Sequence, residues 1–335
     1  MKKKLLSFGQ LVLGLAVLAY ILLRLERSGD FAKLKEALAA AAANWPLIVG
    51  GITGFGFCIF LCILRWQLLL TAVGIRLPLG RLAELFFIGQ FFNALMFGAT
   101  GGDLVKAYYV AAETRHKKTE VVATVFIDRI IGLMALVAMT MVIMLARLNF
   151  FMARPETRAA FTFNVVLIVI SAVAMFLVFG RKTAEHIPCL RRLESSTISG
   201  RIVLKAYSAF AICLRDRQIL IKTIILSLLN HLVLIVCIFY FGLGVGSHLA
   251  FLDYLTVFPV INAIAALPIT PSGLGTRESA ALFLLGVLGV PPATAVTISL
   301  LIYAAIMMWS LIGGGVYFAY TYHHGKAPLD SPDSA

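Results

Sequence analysis

The chain has 335 residues, of which 61% are hydrophobic and 13% charged, and its formal net charge is +13. Soluble domains carry about 25% charged residues, so this composition excludes a soluble globular protein and predicts an all-α polytopic membrane protein. The basic excess is typical of cytoplasmic loops that face anionic lipid, and we expect no nucleic-acid partner. Five cysteines in apolar or basic segments predict no disulfide framework.

Hydrophobic runs predict six membrane-spanning helices. A helical crossing needs about 20 apolar residues, and the runs of about that length are residues 5–23, 47–73, 121–148, 160–180, 221–241 and 293–322. The first run is longer than the apolar part of a signal peptide and lacks a small-residue cleavage site, so we interpret it as a retained helix. The Ala-rich segment 30–44 is predicted to lie along the membrane interface.

The second span carries two local signals. Gly50 and Gly54 form a GxxxG pair, which predicts close packing against another helix rather than a ligand site. Arg65 and Trp66 lie near the end of the span, and we interpret them as anchors at the membrane–water interface.

Two further apolar segments are broken in a way that an ordinary spanning helix is not. The sequence LPITPSGLGTRE at residues 267–278 holds two prolines and two glycines, which remove a backbone donor or weaken a helix. A second break follows the apolar run 82–100, at Gly101, Gly102 and Asp103. Broken backbone at membrane depth is tolerated where protein buries it or where it lines a wet cavity. We therefore predict two re-entrant hairpins; surface loops are the alternative.

The distribution of Lys and Arg predicts the orientation. Most of these residues fall on one side, in segments 2–4, 65–81, 106–118 and 181–222 and at Lys326. Cytoplasmic loops carry this excess in membrane proteins. Both termini are therefore predicted to be cytoplasmic, in a bacterial-type inner membrane.

The two halves of the chain resemble each other. The segment that begins at Asn93 is similar to the one that begins at Asn262, and each half holds three spans and one broken segment. The predicted repeats are residues 5–150 and 160–322, followed by a disordered tail at 323–335. Three spans per half invert the second half relative to the first, and broken helices at matching positions of inverted repeats point to a transporter site. Chance similarity between apolar segments is the alternative.

Three motifs resemble the transmembrane region of lysylphosphatidylglycerol synthases, a flippase-like family. They are PITPSGLGTRE, GGDLVKAY and the intramembrane pair Asp128–Arg129, and the resemblance extends over roughly residues 5–322. Phe97 departs from the family pattern, which has a proline near this position. The chain carries no soluble aminoacyl-transfer domain after this region, so we do not expect synthase activity. What the resemblance implies is lipid translocation or lipid binding.

The candidate binding residues are polar groups and glycines at the two breaks and on the long middle span. They are Asn93, Thr100, Gly101, Gly102, Asp103, Lys106, Asp128, Arg129, Asn262, Thr270, Ser272, Gly273, Gly275, Arg277 and Glu278. No metal ligands and no cofactor are expected among them.

Several of these charges are expected to pair. Asp103 and Lys106 are three residues apart on a helix, and we expect Arg277 to pair with Asp128 and Glu278 with Arg129. A lipid phosphate would bind Arg277, Arg129 or Lys106, helped by backbone amides near the glycines. The alternative is that these pairs only lock the two halves together.

The function that follows is a lipid flippase or transporter, without enzyme activity, that moves a phospholipid-like amphiphile between leaflets. The alternatives are an integral-membrane lipid-modifying enzyme, for which no HExxH or nucleophile-elbow motif is found, and a lipid-binding scaffold for a separate synthase. Expected partners are a phospholipid-like or polyprenyl-linked lipid, anionic headgroups at the basic loop, and a second copy of the chain in a homodimer.

Overall fold

The computed structural model describes residues 2–95, 101–114, 117–179, 216–267, 270 and 273–324. Within these ranges the chain forms twelve α-helices and no strand, as the composition predicts. The helices are α1 (Lys2–Arg27), α2 (Phe31–Ala43), α3 (Trp45–Ala72), α4 (Leu79–Leu95), α5 (Gly101–Glu113), α6 (Lys118–Ala146), α7 (Leu148–Ala153), α8 (Pro155–Phe179), α9 (Arg217–Gly244), α10 (Phe251–Ala265), α11 (Thr276–Val287) and α12 (Pro292–His324).

Five of these helices are long and apolar enough to cross a membrane: α3, α6, α8, α9 and α12. They coincide with five of the six predicted spans. The sixth predicted span is α1, a continuous helix of 26 residues, which at about 1.5 Å per residue extends for roughly 39 Å. The prediction of an all-α polytopic membrane protein is confirmed. Most of the basic loop 181–222 and most of the tail 323–335 lie outside the described residues.

The first broken segment forms a helical hairpin of α4 and α5. Arg81, in the first turn of α4, donates from Nε to a carboxylate oxygen of Glu113, the last residue of α5, over 2.8 Å. The start of α4 and the end of α5 therefore lie side by side, and the two helices run antiparallel. The second broken segment gives a similar pair, because α10 and α11 pack against each other on either side of residues 266–275.

The helices of the two predicted repeats pack in a reciprocal way. The first helix of each hairpin packs on the long helix of the other half, α4 on α12 and α10 on α6. Helices α3 and α9, which correspond to each other in the predicted repeats, form the most extensive contact among the described helices. Two related halves would pack in this way, and the repeat with its boundaries stays a prediction.

Glycines let α3 and α9 approach closely. A Cβ built on Gly51 would overlap the Phe241 ring and lie 3.0 Å from the Cys237 carbonyl oxygen, and one on Gly54 would overlap the Cys237 sulfur. A Cβ on Gly50 would meet nothing within 4 Å. The predicted close packing is therefore confirmed for Gly54, but its partner in the contact is Gly51 rather than Gly50, because Gly50 faces away from α9.

We predict that Gly51→Ala destabilises the protein by about 1–3 kcal/mol, because the added methyl group overpacks a contact that includes backbone. Gly50→Ala is the matched control, and we expect it to be neutral or stabilising by up to about 1 kcal/mol through helix propensity. Thermal unfolding of both variants in detergent measures the difference. Equal effects of the two substitutions would show that α3 and α9 do not meet along this face.

Candidate functional site

A side chain joins the end of α4 to the start of α5. The Asn93 amide oxygen, on α4, accepts a hydrogen bond of 2.9 Å from the backbone N–H of Gly102 at the start of α5. A Cβ on Gly89 would lie 2.8 Å from the Gly102 carbonyl oxygen, so small residues are needed where the two helices meet. The structure thus brings Asn93 and Gly102 together and places Gly101 as the first residue of α5. Thr100 lies outside the described residues.

Asp103 follows immediately and binds two cations. Lys106 Nζ lies 3.0 Å from one carboxylate oxygen, and Arg129 Nε on α6 donates to the other. The expected pairing of Asp103 with Lys106 is confirmed. Lys106 is buried, and its ammonium group also lies over two aromatic rings, 4.9 Å from the centroid of Trp66 and 4.7 Å from that of Phe86. Such placement stabilises a cation in an apolar setting.

Asp128, the neighbour of Arg129, is bound by Arg65 of α3. Arg65 donates from Nε and Nη2 to the two carboxylate oxygens over 2.7 and 3.1 Å, and from Nη1 to Ser227 Oγ on α9 over 2.9 Å. Arg65 is only 6% exposed. The fork of a guanidinium matches a carboxylate in two parallel hydrogen bonds, so this residue joins three helices.

Two interpretations from the sequence are wrong at this point. Arg65 and Trp66 are not interfacial anchors, because both are buried and the Trp66 indole donates to Thr124 Oγ1 over 3.2 Å. Arg277 is not the partner of Asp128. The position of Arg65 along its span indicates burial, since this residue lies about two helical turns before the end of α3. A basic residue so far from a span end needs a carboxylate nearby.

Helix arithmetic places these charges near the middle of the bilayer. Asp128 on the 29-residue α6 and Ser227 on the 28-residue α9 each lie within about 6 Å of the middle of their helix, and both helices are longer than the hydrocarbon core. The hydrocarbon core is about 30 Å thick. We call the five charged residues of this region the central cluster: Arg65, Asp103, Lys106, Asp128 and Arg129. Three cations and two carboxylates give it one excess positive charge.

Polar residues of α9 extend the central cluster toward α6. His231 lies one helical turn beyond Ser227, and its Nε2 is 2.9 Å from the carbonyl oxygen of Gly132 on α6. A Cβ on Gly132 would lie 3.1 Å from Arg65 Nη1. The small residue at 132 therefore leaves room for the guanidinium between the helices.

Arg129 is the member of the central cluster that reaches the surface. Its side chain is 47% exposed, whereas the Asp103 carboxylate that it binds is 7% exposed. Around it, large apolar residues lie exposed on the same region of α5 and α6: Leu104 at 54%, Phe126 at 53%, Ile130 at 40% and Leu133 at 41%. Arg129 therefore lies beside an exposed apolar surface, which is the kind of surface expected of a spanning helix in contact with lipid.

The second hairpin is organised around Glu278, which is fully buried. Its carboxylate accepts a hydrogen bond of 2.6 Å from the backbone N–H of Gly275 and one of 2.8 Å from Ser299 Oγ on α12. The first contact closes the N-terminus of α11 in the manner of a capping box. The expected pairing of Glu278 with Arg129 is wrong, because Arg129 binds Asp103 and both Glu278 oxygens are engaged within the second half.

The turn before α11 requires its glycines. Gly273 and Gly275 have φ values of +74° and +81°, a region that residues with a Cβ rarely adopt. A Cβ on Gly275 would also lie 2.9 Å from the carbonyl oxygen of Gly14 on α1. Thr270 lies beside this turn, with its hydroxyl 3.3 Å from that of Thr276.

The other predicted residues of the second half belong to the second hairpin. Arg277 is 8% exposed and lies in the first turn of α11, next to Glu278. Asn262 is half-buried in the last turn of α10, and Ser272 lies outside the described residues. Among the ion pairs that the described residues form, none joins the two hairpins. The same residues contain no group of His, Cys, Asp and Glu that could hold a metal ion.

Comparison with known proteins agrees with this architecture. The family model of the lysylphosphatidylglycerol synthase TM region matches residues 11–314. The chain belongs to this family. Within it, the chain is similar to a UPF0104 membrane protein of Pyrococcus horikoshii, with 26% identity over 77% of the chain and 83% of that protein. A UPF0104 membrane protein of Methanothermobacter thermautotrophicus is 23% identical over 76% and 78%. No solved structure matches the chain.

We predict that Arg65→Leu destabilises this family member by about 3–5 kcal/mol, because the substitution leaves the Asp128 carboxylate buried without its cation. The double variant Arg65→Leu/Asp128→Leu should recover much of the loss, since it removes both charges. Thermal unfolding in detergent and recovery as a monodisperse species measure the effect. Lys33→Ala, which removes the cation of the exposed pair with Asp30, is the control and should change little. A double variant as unstable as Arg65→Leu would contradict this account of the pair.

Proposed function

We propose that this protein moves a phospholipid-like amphiphile between the leaflets of the membrane, with the lipid phosphate bound at Arg129. The observation that carries the proposal is the half-exposed Arg129 side chain, held by Asp103 at mid-depth and bordered by exposed apolar residues. A translocated lipid needs a polar site for its headgroup while its acyl chains stay in the hydrocarbon. Arg129 offers the polar site for the headgroup, and it lies beside an apolar surface that suits the acyl chains.

The charge of the central cluster supports an anionic ligand. Its one excess positive charge would be balanced by one phosphate. Charges in a low-dielectric environment are costly unless they are matched, so the phosphate would lower the cost of the excess cation, and the cluster would lower the cost of carrying the phosphate through the hydrocarbon. Arg129 is suited to this contact because a guanidinium can bind Asp103 and a phosphate oxygen with different N–H groups.

The other cations of the central cluster are less accessible. Lys106 is 4% exposed and already pairs with Asp103, while Arg65 is 6% exposed and binds Asp128 and Ser227. We assign these two residues a structural role, in which they hold Asp103 and Asp128 in place. The sequence left open whether the charged pairs bind a headgroup or only lock helices together. In this proposal the pairs of Lys106 and Arg65 lock helices together, and Arg129 also binds the ligand.

The second hairpin would then serve as the fixed counterpart of the first. Arg277 and Glu278 are 8% and 0% exposed, and Glu278 is bound within its own half. We propose that this hairpin is re-entrant from the side opposite the first and that both termini are cytoplasmic. The family supports a membrane role related to lipids, since the matched model is the membrane region of a lysylphosphatidylglycerol synthase. We place the protein among transporters rather than enzymes.

We predict that Arg129→Gln slows lipid movement about 10- to 100-fold, because a hydrogen bond to a charged group contributes about 1.5–3 kcal/mol. The substitution should preserve the fold, since Asp103 keeps Lys106 as its partner. The measurement uses proteoliposomes with fluorescent phospholipids, in which chemical reduction of outer-leaflet label reports the rate of movement.

The matched control is Arg76→Gln, which removes the same charge from an exposed position in the turn before α4. It should move lipid at the wild-type rate. Arg129→Lys should keep part of the activity, because it retains the charge but loses the guanidinium fork. A folded Arg129→Gln variant with full activity would rule out this headgroup site, and wild-type protein no faster than empty liposomes would count against transport itself.

A further inference from the structure

A groove runs along α1 where this helix lies against the second hairpin. It consists of two adjoining cavities of about 440 and 540 Å³, which share Val17, Ser279 and Phe283 in their walls. The first cavity extends inward to Leu13 and Ile264, and the second extends outward to Arg24 and Ser28 in the last turn of α1 and the turn that follows. We call the whole feature the α1 groove. It lies in the second half of the protein and contains no residue of the central cluster.

The inner part of the α1 groove is apolar although hydroxyl groups line it. Thr276 Oγ1 donates to the carbonyl oxygen of Gly273 over 3.0 Å, and Ser279 Oγ donates to that of Gly275 over 2.8 Å. These hydroxyls are satisfied by backbone and need no ligand. What remains facing the space is mostly hydrocarbon, including Leu13 and the half-exposed Phe283 ring. Such a wall suits an acyl chain.

The outer part of the α1 groove carries a cation. Asp30 also lines it, but this carboxylate binds Lys33 over 2.8 Å and Ser28 over 3.0 Å. Hydrogen bonds from Lys33 and Ser28 lower the pKa of Asp30 from its ordinary value, so it stays charged and matched by Lys33. Arg24 is exposed and does not take part in the ion pairs that the described residues form. The mouth of the groove therefore presents one positive charge.

The length of the α1 groove matches one leaflet. Leu13 and Arg24 are eleven residues apart on a continuous helix, which is about 17 Å. Half of a hydrocarbon core of about 30 Å is about 15 Å. A lipid whose phosphate lies at Arg24 would thus place one acyl chain along the groove as far as Leu13, near the bilayer centre.

We propose that the α1 groove binds one acyl chain of an anionic phospholipid, with the lipid phosphate at Arg24. The occupant is a lipid because the groove opens to the hydrocarbon beside exposed α1 residues such as Leu15 and Tyr20, and because an apolar channel of one-leaflet length ends at a cation. This lipid belongs to the leaflet at the C-terminal end of α1, which the orientation above places away from the cytoplasm. It would rest against the turn that Gly273 and Gly275 form.

Native mass spectrometry of the purified full chain, titrated with phosphatidylglycerol, tests this site. We expect Arg24→Gln to weaken the tightest binding event about five- to tenfold, because it removes a charge-assisted contact. Arg27→Gln is the matched control, since Arg27 is also exposed at the end of α1 but does not line the groove. Phosphatidylcholine, which carries no net charge, should bind more weakly to the wild type and show a smaller Arg24 effect.

A second pair of variants tests the acyl-chain part. Leu13→Trp fills the inner groove and should abolish the tightest event, whereas Leu15→Trp adds the same bulk to an exposed position outside the groove and should not. Equal binding by Leu13→Trp and Leu15→Trp, or equal losses in Arg24→Gln and Arg27→Gln, would overturn the proposal. Arg129→Gln should bind phosphatidylglycerol at the α1 groove as the wild type does. A result that contradicts the transport proposal can therefore be told apart from one that contradicts the α1 groove.

Discussion

Charged groups inside a membrane must be matched, and the pair of Arg65 and Asp128 shows how this chain meets that constraint. A charge in hydrocarbon is costly unless a partner and further hydrogen bonds compensate it. Arg65 from α3 meets the carboxylate of α6 and the Ser227 hydroxyl of α9 at once. The relative positions of these three spans are therefore restricted at mid-depth, and the first hairpin docks on them through Asp103 and Arg129.

Broken helices impose a second constraint, because backbone groups freed at a break must find partners within the protein. The two hairpins solve it differently. The first uses the amide of Asn93 for Gly102, and the second uses Glu278 for Gly275, with Ser299 as a further donor to the carboxylate. In the second, the carboxylate that serves as acceptor is fully buried, and α1 approaches the turn closely at Gly14. The first leaves Arg129 half-exposed beside an apolar surface.

This asymmetry gives the two proposed lipid sites distinct chemistry. At Arg129 a cation lies in the inner part of a span, where in the proposed transport a headgroup would arrive only in transit and the excess charge of the central cluster would favour an anion. At the α1 groove the cation lies at the membrane edge and the apolar walls reach inward, which is the arrangement of a lipid at rest in its own leaflet. The same class of ligand would thus meet the protein at two depths, on two different helix faces.

The sequence predicted local features of the helices, but it did not predict which residues of different helices contact each other. Apolar run lengths predicted the spans, and proline and glycine predicted the break at residues 267–278. The i,i+3 spacing predicted the pairing of Asp103 with Lys106, since helix geometry alone brings such residues together. Arg65 as the partner of Asp128, and Gly51 rather than Gly50 at the contact between α3 and α9, depended on tertiary structure. Neighbouring residues on a helix point about 100° apart, so only the rotation of each packed helix decides which of them meets its neighbour.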